Sequence, residues 1–232
     1  MNPSNSGTSG SPITFVAYQG ETPVITGSVN SSSRAAMFGC GHRNYIVWDG
    51  FSVNMVAFIT GEDQTVGFWY SDHCTIRNST LTGIDHSGST TNYSLVRIQE
   101  SSYSTIENNL FQNLGGDATS VNTTAIWMFV SSNITIKNTN FIGTRGAIYS
   151  KNGPNVATIS HNFIRGLSGI YACSRGIRPA SQTPIVNSDV SIFQNIVVDC
   201  ASAIGLLGGA GNFTVINPKI YNNTVYGGGS IA

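Results

Sequence analysis

The hexapeptide IENNLF at residues 106–111 has counterparts along the whole chain. They are IVWDGF (46–51), IRNSTL (76–81), IKNTNF (136–141), ISHNFI (159–164), IFQNIV (192–197) and IYNNTV (220–225). Each begins with Ile, carries Asn or Asp two or three positions on, and reaches an apolar residue at the sixth position. The leading isoleucines fall at 46, 76, 106, 136, 159, 192 and 220, giving intervals of 30, 30, 30, 23, 33 and 28 residues. A recurrence of this kind is the signature of a repeat architecture. An earlier apolar stretch, PITFVAYQGETPVITG (12–27), reads as one more copy.

A helical repeat would need amphipathic stretches of period 3.6. Here the apolar residues alternate, and β-branched residues, Gly and Asn dominate, so each unit is several short strands separated by turns. Stacked in parallel, the copies predict an all-β solenoid of about eight coils. The leading isoleucines then form an inward ladder. The turn asparagines, Asn78, Asn108, Asn138, Asn162, Asn195 and Asn223, carry a structural duty: Asn tolerates left-handed backbone, and stacked amides hydrogen-bond along a rod.

Composition narrows the functional classes. Charged residues make up 9% of the 232, with 11 Lys+Arg against 11 Asp+Glu, which leaves no basic footprint for nucleic acid. No segment approaches the roughly 18 consecutive apolar residues of a membrane helix, so no membrane insertion is expected. The opening MNPSNSGTSGSP lacks a basic region followed by an apolar run, so no signal segment is read there. Cys40, Cys74, Cys173 and Cys200 form no CxxC pair, and the four histidines lie at no ligand spacing, which argues against a metal site of nitrogen or sulfur ligands. The cysteines read as small unpaired core residues, with pairing across neighbouring turns as the alternative.

The Ile-x-Asn-Asn repeat and the entry phrase SGTSGSPITFVAYQGETPVITG (6–27) resemble right-handed parallel β-helix proteins of the pectate-lyase-like superfamily. In style they are nearest to polysaccharide lyases of the alginate lyase and chondroitinase B type. The resemblance covers nearly the whole chain and implies a right-handed, single-stranded parallel β-helix over residues 1–232, a polysaccharide partner, a secreted or cell-surface location and, in such lyases, calcium. It also implies a Lys base after a Glu-Ile-Ile-Ser segment, assisted by an Arg of the next coil. Aligned on the isoleucines, that segment falls on AIWMFVS (125–131), with Val130 at the Lys position and Ala125 at the Glu position. The assisting segment falls near YSKNG (149–153), whose single cation is Lys151.

The strand before each leading Ile offers a further signal. Aligned, these read VGFWY (66–70), VRIQE (96–100), IWMFV (126–130), IYSKN (148–152), IYACS (170–174) and AIGLL (203–207). With Val66, Val96, Ile126, Ile148, Ile170 and Ile204 inward, alternation turns two rows outward. One row is Gly67, Arg97, Trp127, Tyr149, Tyr171 and Gly205. The other is Trp69, Gln99, Phe129, Lys151, Cys173 and Leu207. Aromatic faces beside cations suit the C–H faces and carboxylates of sugars. The expected site is therefore an outward groove, with long loops folded over the sheet as the alternative. In a lyase reading Lys151 is the base and Arg97 or Arg175 neutralises a uronate. Trp69, Gln99, Trp127, Phe129, Tyr149, Tyr171 and Arg145 hold the substrate. SDHC (71–74) and IDHSG (84–88) set Asp beside His, but strand neighbours face opposite ways, so both read as turn or cap elements.

Two functions fit this reading. The first is a carbohydrate-active protein that binds an acidic polysaccharide and cleaves it by β-elimination. The second is a non-catalytic β-helix serving as an adhesin, surface or fibre module. The turn-rich start and the closing GGGSIA show no cap, which predicts either a fragment of a longer protein or end-to-end self-association through open coils.

Overall fold

The computed structural model describes residues 1–29, 35–58, 63–88, 91–117, 123–151, 156–166, 168–173, 185–207 and 213–228. The described residues form a parallel β-helix built of short strands, with no helix among them. A typical rung runs through three strands, Tyr93–Gln99, Thr105–Glu107 and Leu110–Leu114. Each belongs to a different sheet. Sheet I holds Thr105–Glu107 and has eight strands; sheet II holds Leu110–Leu114 and also has eight; sheet III holds Tyr93–Gln99 and has seven. A separate two-stranded pair, Ile185–Ser188 with Phe213–Ile216, extends the corner ahead of sheet I. The early apolar stretch does add a rung: Ile13–Val16 pairs with Ile46–Asp49, and Val24–Val29 with Ser52–Phe58.

The inward ladder of sheet I runs Phe15, Trp48, Ile76, Ile106, Ile136, Ile159, Ile192 and Ile220. One expectation is corrected here. The partner of Ile76 is Trp48, not Ile46, so the interval before Ile76 is 28 residues rather than 30. The reason is packing. The Trp48 ring lies 4.3 Å from Phe15 in a stacked pair and 4.7 Å from Phe38, filling this level of the rod with aromatic volume. Each wholly buried Ile of the ladder contributes about 1.5–3 kcal/mol of transfer free energy.

The turn asparagines serve in two columns, not one. The residue two after the inward anchor takes left-handed backbone in each of seven rungs: Gly50, Asn78, Asn108, Asn138, His161, Gln194 and Asn222. The next position points inward. There Asn162 donates from its amide to Asn195 Oδ1 at 2.9 Å, and Asn195 donates likewise to Asn223 Oδ1 at 2.9 Å. Their amide nitrogens also reach Ile136 O, Ile159 O and Ile192 O, at 3.1, 3.0 and 2.9 Å. Asn78, Asn108 and Asn138 are thus exposed turn formers, whereas Asn162, Asn195 and Asn223 belong to an internal hydrogen-bonded ladder. Each ladder amide gives a strand-end carbonyl a side-chain donor.

The corner from sheet III to sheet I has its own period. Two left-handed residues, three apart, occur in four successive rungs: His42 and Tyr45, Tyr70 and His73, Glu100 and Tyr103, Val130 and Asn133. Left-handed backbone costs a non-glycine residue about 1–2 kcal/mol. Axial hydrogen bonds hold it in place here. His42, Tyr70 and Glu100 donate their backbone N–H to Trp69 O, Gln99 O and Phe129 O at 2.8, 3.1 and 3.0 Å. Tyr45, His73 and Tyr103 donate to Asp72 O, Ser102 O and Ser132 O, each at 3.0 Å.

Cys40 and Cys74 form a disulfide between consecutive rungs, with Cα atoms 6.6 Å apart, which corrects the reading of unpaired cysteines. Stacking of parallel coils brings the two to the same corner, one before its turn and the other after the next. Cys200 is a free, buried thiol whose pKa is pushed up by burial. The side chain of Cys173 lies outside the described residues.

Candidate functional site

Sheet III carries the two outward rows in the anticipated register. Gly67, Arg97, Trp127, Tyr149, Tyr171 and Gly205 pair in sequence, and so do Trp69, Gln99, Phe129 and Lys151. Ile126 and Met128 face the core, and Trp127 stands outside the core cluster. The anticipated open floor is nevertheless absent at the centre. Arg97, Gln99 and Trp127 are each only 2% exposed, and every residue of Tyr93–Gln99 is buried. Trp69, Phe129 and Tyr149 are half-buried.

These side chains lie along the rod rather than away from it. The Arg97 guanidinium sits 4.7 Å over the Trp127 ring, and its Nε donates to Gln99 Oε1 at 3.0 Å. Gln99 Nε2 in turn donates to Glu100 Oε1 at 3.2 Å. The Trp127 and Tyr149 rings stack with centroids 6.2 Å apart. Trp69 folds back over Gly67, where an added Cβ would come within 2.7 Å of the indole. Gly67 therefore gives the indole its seat. The result is a cation–π and aromatic ladder whose groups are spent on one another.

Of the anticipated cations, Arg97 and Arg145 have described side chains. Arg97 is held in that ladder. Arg145 lies in the turn ahead of the strand Ile148–Lys151, at the opposite end from Lys151, and its Nε donates to Asp117 O at 3.0 Å. The backbones of Lys151 and Tyr171 lie in sheet III, but their side chains are outside the described residues, and so is the whole of Arg175. Val130, aligned with the lyase base, occupies a left-handed corner position. No group of three or more His, Cys, Asp or Glu is gathered to hold a metal among the described residues, and calcium asks for several carboxylate oxygens in one place.

The Asp-His pairs serve the turns. Asp72 Oδ1 accepts from Ser102 N at 2.9 Å, and Asp72 N donates to Asn44 Oδ1 at 2.8 Å. Asp85 accepts from Ser87 Oγ and N at 2.7 and 3.0 Å, and these bonds lower its pKa. His86 is buried against Tyr93 and shares hydrogen bonds with Thr123 Oγ1 and Thr91 Oγ1 at 2.7 and 3.2 Å. Burial holds its pKa below the ordinary histidine value.

A second row of rings stands on the corner between sheets III and I, where His42, Tyr70 and Tyr103 are exposed and Tyr45 and His73 half-buried. Tyr45, His73 and Tyr103 stack face to face along the rod, with centroids 4.4 and 5.0 Å apart and planes within 9°. His42 and Tyr70 form a parallel pair at 5.0 Å. Tyr70 is 49% exposed and Tyr103 56%. Beside this row runs an outward ladder of hydroxyls on sheet I, Thr75, Thr105, Thr135 and Thr158. An open groove of about 360 Å³ lies where row and ladder meet, lined among others by Tyr103, Thr105, Asn133, Thr135 and Thr158. Sequence reasoning passed over these rings. Their signal is a fixed position, three residues before the inward anchors Trp48, Ile76 and Ile106.

Further out on sheet I, charges alternate rung by rung and pair: Arg77 Nε lies 2.8 Å from Asp49 Oδ2, and Lys137 Nζ 3.0 Å from Glu107 Oε2. The corner surface therefore offers rings, hydroxyls and amides flanked by ion pairs. Such a surface can present ring edges, hydroxyls and amides to a polyhydroxylated chain, with ring faces open only at the ends of the stacks.

The sequence pattern that defines the right handed beta helix region matches residues 64–231, and the chain belongs to that family. No curated protein matches the sequence. Among solved structures, the chain is similar to an alginate lyase from Paenibacillus sp. str. FPU-7. Identity is 14%, the TM-score is 0.56, and the match covers all of this chain and 87% of the other. It is also similar to the surface protein and adhesin PfbA of Streptococcus pneumoniae, at 15% identity and a TM-score of 0.49, covering 90% of this chain and 84% of the other. At these identities the likeness concerns the fold.

Proposed function

We propose that this member of the right-handed β-helix family binds polysaccharide along the side of its rod, without cleaving it. The observation that carries the reading is the stacked ring row at the corner, Tyr45–His73–Tyr103 with His42–Tyr70 beside it, of which His42, Tyr70 and Tyr103 are exposed. Its rings repeat at the rung spacing next to a ladder of threonine hydroxyls, so successive sugars of one chain meet equivalent groups. Contiguous exposed aromatic surface supports a binding role.

Cleavage by β-elimination needs a base at the sugar carbon and a group to neutralise the carboxylate. Arg97, the cation expected for the second task, is engaged with Trp127 and Gln99 and buried. Val130 stands where the resembling lyases keep their base. Both facts favour binding over cleavage. The disulfide Cys40–Cys74 supports a secreted or surface setting, because such bonds persist in oxidising compartments.

The test is a panel of alginate, pectate, chondroitin, a neutral glucan and a mannan. Binding is read by calorimetry, and unsaturated products by their ultraviolet absorbance. Binding to at least one polymer without unsaturated product is expected. Failure to bind any of them overturns the reading, and accumulation of unsaturated product restores the lyase alternative.

A further inference from the structure

The ring row stops abruptly. Tyr45, His73 and Tyr103 occupy one column of left-handed corner residues, and the next member of that column is Asn133. Asn133 has the same backbone conformation, with φ of 56° against 55° at Tyr103, but no ring. The side of Tyr103 that faces Asn133 therefore lacks the stacking partner that the other side has in His73. Rungs lie roughly 4.7–4.9 Å apart, and carbon atoms in contact need about 3.5–4.0 Å, so the missing ring leaves room for one ring of a ligand. The groove lies mostly on this side of Tyr103: besides that residue and His73 its wall includes Thr105, Asn133 and Thr135 of the next rung, and Val156 and Thr158 of the one after.

We infer that this groove is a subsite for one neutral pyranose ring, which continues the aromatic stack where Asn133 interrupts it. The inference rests on the polysaccharide-binding reading and adds a place and a sugar class to it. The C–H face of the sugar packs on Tyr103, as apolar faces of ligands do on aromatic rings. Its hydroxyls find the outward row of Thr105, Thr135 and Thr158 and the exposed Asn133 amide, all uncharged. The nearest charges on sheet I, Glu107 and Lys137, are paired with each other at 3.0 Å. The groove's described lining holds no Lys or Arg to pair with a uronate carboxylate, and its His73 ring is stacked between Tyr45 and Tyr103, whereas a neutral sugar leaves no charge uncompensated.

The decisive variant is Asn133→Tyr. Tyrosine already occupies this column, in this backbone conformation, at Tyr45 and Tyr103, so the substitution extends the stack and fills the gap without removing any wall. Methyl glucoside, methyl mannoside and methyl galacturonide are titrated into the full chain and followed by amide chemical shifts. A neutral glycoside is expected to shift Tyr103, Thr105, Asn133, Thr135 and Thr158. Asn133→Tyr is expected to abolish those shifts, and Tyr103→Ala to weaken binding about three- to tenfold, the range for one aromatic contact. Unchanged titration of Asn133→Tyr, or tighter binding of the galacturonide at these residues, overturns the subsite. If a polysaccharide binds wild type and Asn133→Tyr equally, the subsite falls while the polysaccharide reading stands. If no polymer binds wild type, the reading itself falls.

Discussion

The ladder on sheet III and the ring row at the corner are made of the same materials, aromatic and cationic or imidazole groups repeated once per rung, yet they end in opposite states. On sheet III the groups stand on strands, so a neighbour lies above and below each of them, and Arg97, Gln99 and Trp127 close over one another. At the corner the rings stand on left-handed turn residues, whose backbone is held by axial hydrogen bonds, and His42, Tyr70 and Tyr103 among them are exposed. Repetition along a solenoid thus produces stacks in both places. Whether a stack stabilises the rod or serves a ligand depends on the element that carries it.

The sharpest way to break the contrast is by stability. Trp127→Ala removes a buried indole and is expected to cost about 3–5 kcal/mol, read from urea unfolding midpoints. Reducing Cys40–Cys74, which clips together the first two corner turns across a separation of 34 residues, is expected to cost about 2–4 kcal/mol in the same assay. Asn195→Ala strips the internal ladder at its centre and leaves Ile159 O and Asn162 N without their side-chain partner, for about 1–3 kcal/mol. Tyr103→Ala, by contrast, is expected to change stability by less than about 0.5 kcal/mol, as exposed positions do. A large loss there would mean that the corner row is structural, like the ladder.

Acid supplies a gentler test. His86 is buried with its pKa below the ordinary 6.5. Above that value both folded and unfolded chains hold it neutral. As the pH falls below it, the unfolded chain takes up a proton that the folded chain resists, so stability drops. The unfolding midpoint should therefore decline from pH 7 towards pH 5, and His86→Gln should flatten that decline. Asp85, whose pKa is also lowered but from 3.8, acts only in more acidic solution.

The repeat, the parallel strands and the outward register of sheet III were legible in the sequence because alternation and β-branching report which face each residue takes. Two things were hidden, and one concealed the other. An isoleucine at 46 suggested the wrong anchor, since nothing local shows that Trp48 is the residue stacked on Phe15. With Ile46 as anchor, the position three residues earlier is Arg43. With Trp48 it is Tyr45, and the column of Tyr45, His73 and Tyr103 becomes visible. The burial of Arg97 and Trp127 was illegible for another reason. Alternation tells which side of a strand a residue leaves from, not what lies beside it once it has left. The same limit applied to Cys40 and Cys74, whose meeting depends on the true length of the rung between them.

The central claim, that the corner row rather than the sheet III ladder meets the glycan, has one direct measurement. Affinity for the polysaccharide that binds wild type best is compared across Tyr70→Ala and Tyr103→Ala at the corner and Phe129→Ala and Tyr149→Ala on the half-buried margin of the ladder. The account predicts weaker binding for the corner pair and wild-type affinity for the ladder pair. Loss confined to Phe129→Ala and Tyr149→Ala, with the corner variants unchanged, would contradict it.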